Sequence, residues 1–225
     1  MADFVEFKEE KIKVKFFKVG KYKFSSIEIY HLTIAMIMII LTLFVFQYKE
    51  LLSLEFISSP TFFLLLGMYA VTVGFGFLFH ELGHKLVAQH YGYISEFRAD
   101  FQMLGLMFIG ALFLPIILLS PGAVMILGRP TIRQNGIISV AGPLVNLALA
   151  AIFTILGLLF GIEGFLGAII MTGIFVNSFL GIFNMLPIWV LDGKKVLRWS
   201  KPIYTIVMCS LIGFLLIGFG TIPLL

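Results

Sequence analysis

Five long apolar stretches, at roughly 27–47, 61–84, 137–162, 164–187 and 203–225, restrict the fold of this chain more than any other feature. A helix crosses the hydrocarbon of a bilayer with about 20 mostly apolar residues, and each stretch meets that length. Of the 225 residues 60% are hydrophobic and only 12% charged, against about 45–50% and about 25% in soluble domains. That balance excludes a soluble globular domain and a disordered chain. It predicts an all-α polytopic membrane protein with about five to six transmembrane helices. Cys209 is the single cysteine, so neither an intramolecular disulfide nor a cysteine-built metal cage is available.

The net charge of +4 is a property of the membrane surface rather than a nucleic-acid footprint. Seven of the 16 Lys/Arg lie within residues 8–23, and most others flank the apolar spans. The chain divides into a lysine-rich N-terminal segment, 1–26, and an intramembrane core, 27–225. Placing the N-terminus in the cytoplasm puts 15 of the 16 Lys/Arg on that side, which is the orientation the positive-inside rule favours. Arg98 and the Arg129/Arg133 pair then share one side, so the apolar stretch 103–127 between them crosses an even number of times. With Pro115 and Pro121 inside it, two full helical crossings do not fit. The stretch is therefore expected to be a membrane-embedded re-entrant segment, helical first and β-like after Pro121. Irregular backbone at that depth needs protein or a wet cavity to satisfy it.

Ionisable side chains inside a bilayer are costly and mark function. The second span ends Phe79-His80-Glu81-Leu82-Gly83-His84, an H-E-x-x-H sequence on a helix. His80 and His84 stand one above the other on one face and reach a common Zn²⁺. Glu81 is turned about 100° from them, where a general base for an activated water belongs. A catalytic zinc usually has three protein ligands and an open position. Glu28, Glu96, Asp100 and Asp192, with His31 and His90, are the candidates for the third. Asp192 stands out because it lies on the same side as the histidines, after Pro187 and before the permissive Gly193.

His80-Glu81-Leu82-Gly83-His84, followed by Asn184-x-x-Pro187-x-x-x-Leu191-Asp192-Gly193, resembles the site-2 protease family of intramembrane zinc metalloproteases. Ala141-Gly142-Pro143-Leu144-Val145-Asn146 resembles a further element of that family, and the resemblance spans about residues 61–200. It implies one Zn²⁺ per chain held by His80, His84 and Asp192, with Glu81 as catalytic base and Asn146 in substrate or oxyanion binding. It also implies a metal inside the membrane nearer the cytoplasm, an embedded β-like segment between the motif spans, and a single-span membrane protein as substrate. Family members that carry PDZ or CBS domains differ from this chain, which has no room for either.

Asn146 and Asn184 are both placed to donate to a developing oxyanion, with interhelical hydrogen bonding as the alternative role. Gly142-Pro143 is read as shaping a helix start. Glu28 and His31 form a single E-x-x-H, which a di-iron bundle would need twice, so they are read as a polar pair at the membrane interface. His90 is expected at the surface. Lys11, Lys13 and Lys15 alternate with Ile12, Val14 and Phe16, a strand period that suggests a short hairpin on the lipid surface with Gly20 at its turn. Two rival functions are a membrane metal transporter and a non-catalytic metal-binding scaffold. Neither needs a non-ligand carboxylate at Glu81, and a transport path would carry polar groups through the outer halves of the spans, which are almost purely apolar.

Overall fold

The computed structural model describes residues 15–114, 121–222 and 224. Five of its helical stretches are long and apolar enough to cross a membrane: Ser26–Leu51, Pro60–His90, Ile132–Phe160, Gly164–Asn184 and Lys201–Gly218. They coincide with the five apolar stretches of the sequence, and the architecture is that of an all-α polytopic membrane protein with little strand.

The described chain opens with an antiparallel hairpin of β1 (Phe16–Val19) and β2 (Tyr22–Ser25), turning at Gly20 with φ +60°. The part of the expected alternation before Lys15 lies outside the described residues. Ser25 then caps α1 (Ser26–Tyr48) by accepting from the Glu28 amide. After the short α2 (Leu54–Ile57), Ser59 caps and Pro60 opens α3 (Pro60–Tyr69). This helix passes through a π-helical turn at Ala70–Gly74 into α4 (Phe75–His90), where the H-E-x-x-H residues lie. Within that turn the buried Thr72 hydroxyl donates to the Met68 carbonyl at 2.8 Å.

Next come β3 (Ile94–Ala99), α5 (Phe101–Phe113) and β4 (Gly122–Leu127), with β3 and β4 paired antiparallel. The stretch 103–127 is thus helical first and extended after Pro121, as expected; residues 115–120 lie outside the described residues. At 13 residues, α5 reaches about 20 Å, short of the roughly 30 Å hydrocarbon core.

Three helices follow the sheet before the last span: α6 (Ile132–Phe160), α7 (Gly164–Asn184) and α8 (Asp192–Trp199), and α9 (Lys201–Gly218) closes the fold. The reading of Gly142-Pro143 as a helix start is corrected here. A reciprocal capping box of Thr131 and Gln134 starts α6 well before them, and Pro143 lies inside the helix. There it removes the amide that the Ser139 carbonyl would otherwise accept from.

Packing places α4 against α6, α6 against α7 and α8, and α7 against α9. One buried cluster, including Leu32, Ile39, Phe44, Val73, Phe77, Phe97 and Leu180, ties α1, α4 and α7 to the β3–β4 sheet. A second, of Val140, Met185, Val196, Val207 and Leu211, fixes α8 between α6 and α9. The two clusters flank the helix ends that carry the polar residues.

Candidate active site

His80 and His84 lie on the inner-facing side of α4, 3% and 7% exposed, with their Nε2 atoms 3.0 Å apart. Each ring is fixed from behind. His80 Nδ1 is 2.6 Å from Asn146 Oδ1, and His84 Nδ1 is 2.8 Å from the Ile138 carbonyl. Both partners are acceptors, so both Nδ1 atoms carry the proton and both Nε2 lone pairs are available. Fixing a histidine tautomer through its other ring nitrogen is how metal-binding imidazoles are oriented.

Asp192 reaches these nitrogens from the start of α8. Pro187 prevents α7 from continuing past Asn184, and the connection turns back through Trp189, at φ +46°. Gly193 serves close approach rather than a turn: a Cβ there would lie 2.8 Å from the Leu186 carbonyl and nearer still to that of Met185. Asp192 Oδ2 is 3.0 Å from His84 Nε2 and 3.7 Å from His80 Nε2, while Oδ1 lies 3.4 Å from Lys195 Nζ. The three ligand atoms converge within 4.8 Å of one another.

Two neutral imidazole nitrogens and a carboxylate are the ligand chemistry of a three-coordinate protein zinc site with an open position. A tetrahedral zinc with bonds of about 2.0–2.1 Å holds neighbouring nitrogens about 3.3 Å apart, close to the 3.0 Å separation here. Gly142 provides the clearance. A Cβ on it would sit 2.6 Å from His80 Nε2 and closer to His84 Nε2, in the space in front of both rings. The residues present therefore fit a zinc ion.

Glu81 is 8% exposed and is not one of the convergent ligands. It lines the same cavity, of about 110 Å³, which also takes in Asn184, Lys195 and the β4 residues Gly122, Ala123, Val124 and Ile126. That volume holds several waters.

The other candidates for a third ligand are engaged elsewhere. Glu96 pairs with Arg98, Asp100 caps α5, and His90 is at the surface beside Lys21. Glu28 is fully buried within the protein, with Oε2 2.8 Å from Lys85 Nζ. This buried ion pair joins residues far apart in sequence and has no local signature.

Asn146 makes the interhelical hydrogen bonds that were its alternative role. Beyond its contact with His80 it donates to the Gly76 carbonyl at 3.2 Å and to Asn177 Oδ1 at 3.1 Å, fully buried and outside the cavity. Its oxygen accepts from His80, and its NH2 group is spent on Gly76 and Asn177. We predict that Asn146→Leu weakens zinc binding about 10–100-fold, the usual cost of losing such a partner. Competition with a chelator of known affinity measures it; unchanged affinity would show that His80 is held by packing alone.

Comparison with known proteins agrees with this arrangement. Residues 68–170 match peptidase family M50. A protein of Methanocaldococcus jannaschii named as a candidate zinc metalloprotease is 43% identical over 196 residues, covering 87% of this chain and 96% of that protein. A zinc metalloprotease of the same organism is 29% identical over 119 residues, covering 53% of this chain and 30% of the longer relative. No solved structure matches. By this similarity over nearly its whole length, the chain belongs to peptidase family M50, the site-2 protease family, and is an integral-membrane zinc metalloprotease.

Proposed function

We propose that the protein is an intramembrane endopeptidase that cuts a membrane-spanning segment of another protein. One zinc ion per chain is held by His80, His84 and Asp192. The observation that carries this reading is the convergence of three metal-type ligands beside a second, non-ligating carboxylate, Glu81, in one cavity between helices long enough to cross a membrane.

When bound, zinc supplies Lewis acidity and an acidified water of pKa about 7. Glu81, which lines the cavity without being a ligand, would serve as the general base that takes a proton from the attacking water and returns it to the leaving amine. Asn184 lines the cavity, with its amide also donating to the Leu180 carbonyl at 3.0 Å. Its remaining N–H would support the oxyanion.

A peptide bond within a helix is hydrogen-bonded and shielded, so the substrate unwinds locally before it reacts. The geometry of β4 suits an extended peptide. Asp100 N donates to the Pro121 carbonyl, which makes the even-numbered β3 residues those that bond to β4. Gly122, Val124 and Ile126 then direct their backbone groups away from β3, and all three line the cavity. The substrate adds there as a further strand. The positive-inside bias places the N-terminus, the lysine-rich hairpin and the approach of water on the cytoplasmic side.

The test is a purified preparation in detergent, assayed for zinc content and for cleavage of a panel of single-span substrates. About one zinc per chain is expected, with cleavage that a chelator stops and zinc restores, and no zinc in Asp192→Ala. A zinc-loaded protein that cuts nothing but carries zinc across liposome membranes would instead establish a transporter.

A further inference from the structure

The two-stranded sheet has a second edge, and it is closed by side chains. The backbone groups of the odd-numbered β3 residues face away from β4 and meet side chains from neighbouring helices, Ser95 meeting two of them, Lys85 and Gln89. Phe97 N donates to Glu28 Oε1 at 2.9 Å, and Ala99 N donates to His31 Nδ1 at 3.0 Å. The Ser95 carbonyl accepts from Lys85 Nζ at 2.8 Å. Glu28 and His31 are one turn apart on α1, while Lys85 adjoins His84 on α4.

These contacts are paired with the open edge position by position. In the register of the sheet, Ser95 lies opposite Ile126, Phe97 opposite Val124 and Ala99 opposite Gly122. Each clamped β3 residue is thus one strand away from a β4 residue that lines the metal cavity. The clamp itself is fully satisfied. Lys85 is 1% exposed and divides its donors between Glu28 and Ser95, with the Phe24 ring 4.7 Å from Nζ. An ion pair so buried adds little net stability over apolar packing, but breaking one side of it is costly. Its value lies in geometry: it ties the sheet to the helix that carries His80 and His84.

We propose that Glu28, His31 and Lys85 are positioning residues for peptide cleavage: they close one edge of the β3–β4 sheet and set the register of the other edge against the metal, and so select which bond of the substrate is cut. This rests on the reading of β4 as the strand that receives substrate. A peptide added to β4 presents every second residue to the cavity. A shift of the sheet along the metal therefore moves cleavage in steps of two residues.

The experiment compares wild type with His31→Ala and Glu28→Asp on one single-span substrate, mapping the products by mass spectrometry. His31→Ala removes the Ala99 anchor and an edge-on contact with the Phe101 ring, at a partly exposed residue, and leaves the buried ion pair in place. Glu28→Asp keeps the charge but shortens the link by one methylene. Both variants are expected to retain wild-type zinc content. Their products should spread to bonds two residues from the wild-type site, with KM raised about tenfold and kcat changed less. The same single bond cut with unchanged KM by a zinc-loaded His31→Ala protein would overturn the inference alone, whatever the folding of Glu28→Asp. A zinc-loaded wild type that cleaves nothing would overturn the peptidase reading, and the inference with it.

Discussion

Glu81→Gln is expected to keep zinc at wild-type content and to lose cleavage by about 10²–10⁴-fold, the range that positioned general acid–base groups contribute. The substitution changes one oxygen for a nitrogen in a residue that lines the cavity but is not among the convergent ligands. It leaves His80, His84 and Asp192, and the partners of both imidazoles, untouched. A fall in zinc content would therefore make Glu81 a ligand instead of a base. Cleavage within tenfold of wild type would mean that another group moves the proton. Metal analysis and turnover on the same preparation separate these outcomes.

Gly142→Ala is expected to remove zinc and activity together while the protein stays folded. The added carbon would lie 2.6 Å from His80 Nε2, well inside van der Waals contact, and nearer still to His84 Nε2. Neither ring has a cheap retreat. Turning His80 breaks its bond to Asn146, and turning His84 breaks its bond to the Ile138 carbonyl. Alanine is the better helix former by about 1 kcal/mol, so α6 gains locally even as the metal pocket is filled. Zinc content below about a tenth of wild type, with unchanged helical circular dichroism, is the expected result. A fully zinc-loaded variant would show that the rings yield to the methyl group.

How much of this was legible in the sequence depends on the distance over which each feature acts. The spans follow from composition within a single window. The shared face of His80 and His84 follows from the helical period. The helix-then-strand character of 103–127 follows from prolines and charge parity. What escaped was built from contacts between distant elements. Asn146 is polar and inside a span, which suits an oxyanion donor and a histidine orienter equally; only the approach of α4 to α6 decides between them. The Glu28–Lys85 pair connects α1 to α4, and nothing near Glu28 announces a buried cation. Pro143 looked like a helix start because proline favours first turns; the capping box at Thr131 outweighs that preference. Trp189 sits in a backbone region where a bulky side chain is disfavoured, and no local residue predicts it.

The π-helical turn at Ala70–Gly74 gives the long helix two angular phases. Such a turn holds one residue more than an α-turn, so the halves on either side are offset by about 100° from an uninterrupted helix. The N-terminal half, Pro60–Tyr69, and the half bearing His80 and His84 accordingly obey separate helical wheels. A single wheel drawn from Pro60 to His90 would assign the wrong neighbours to one end. The extra residue acts like a vernier: it lets the N-terminal half match its packing partners without turning the histidine face away from Asp192.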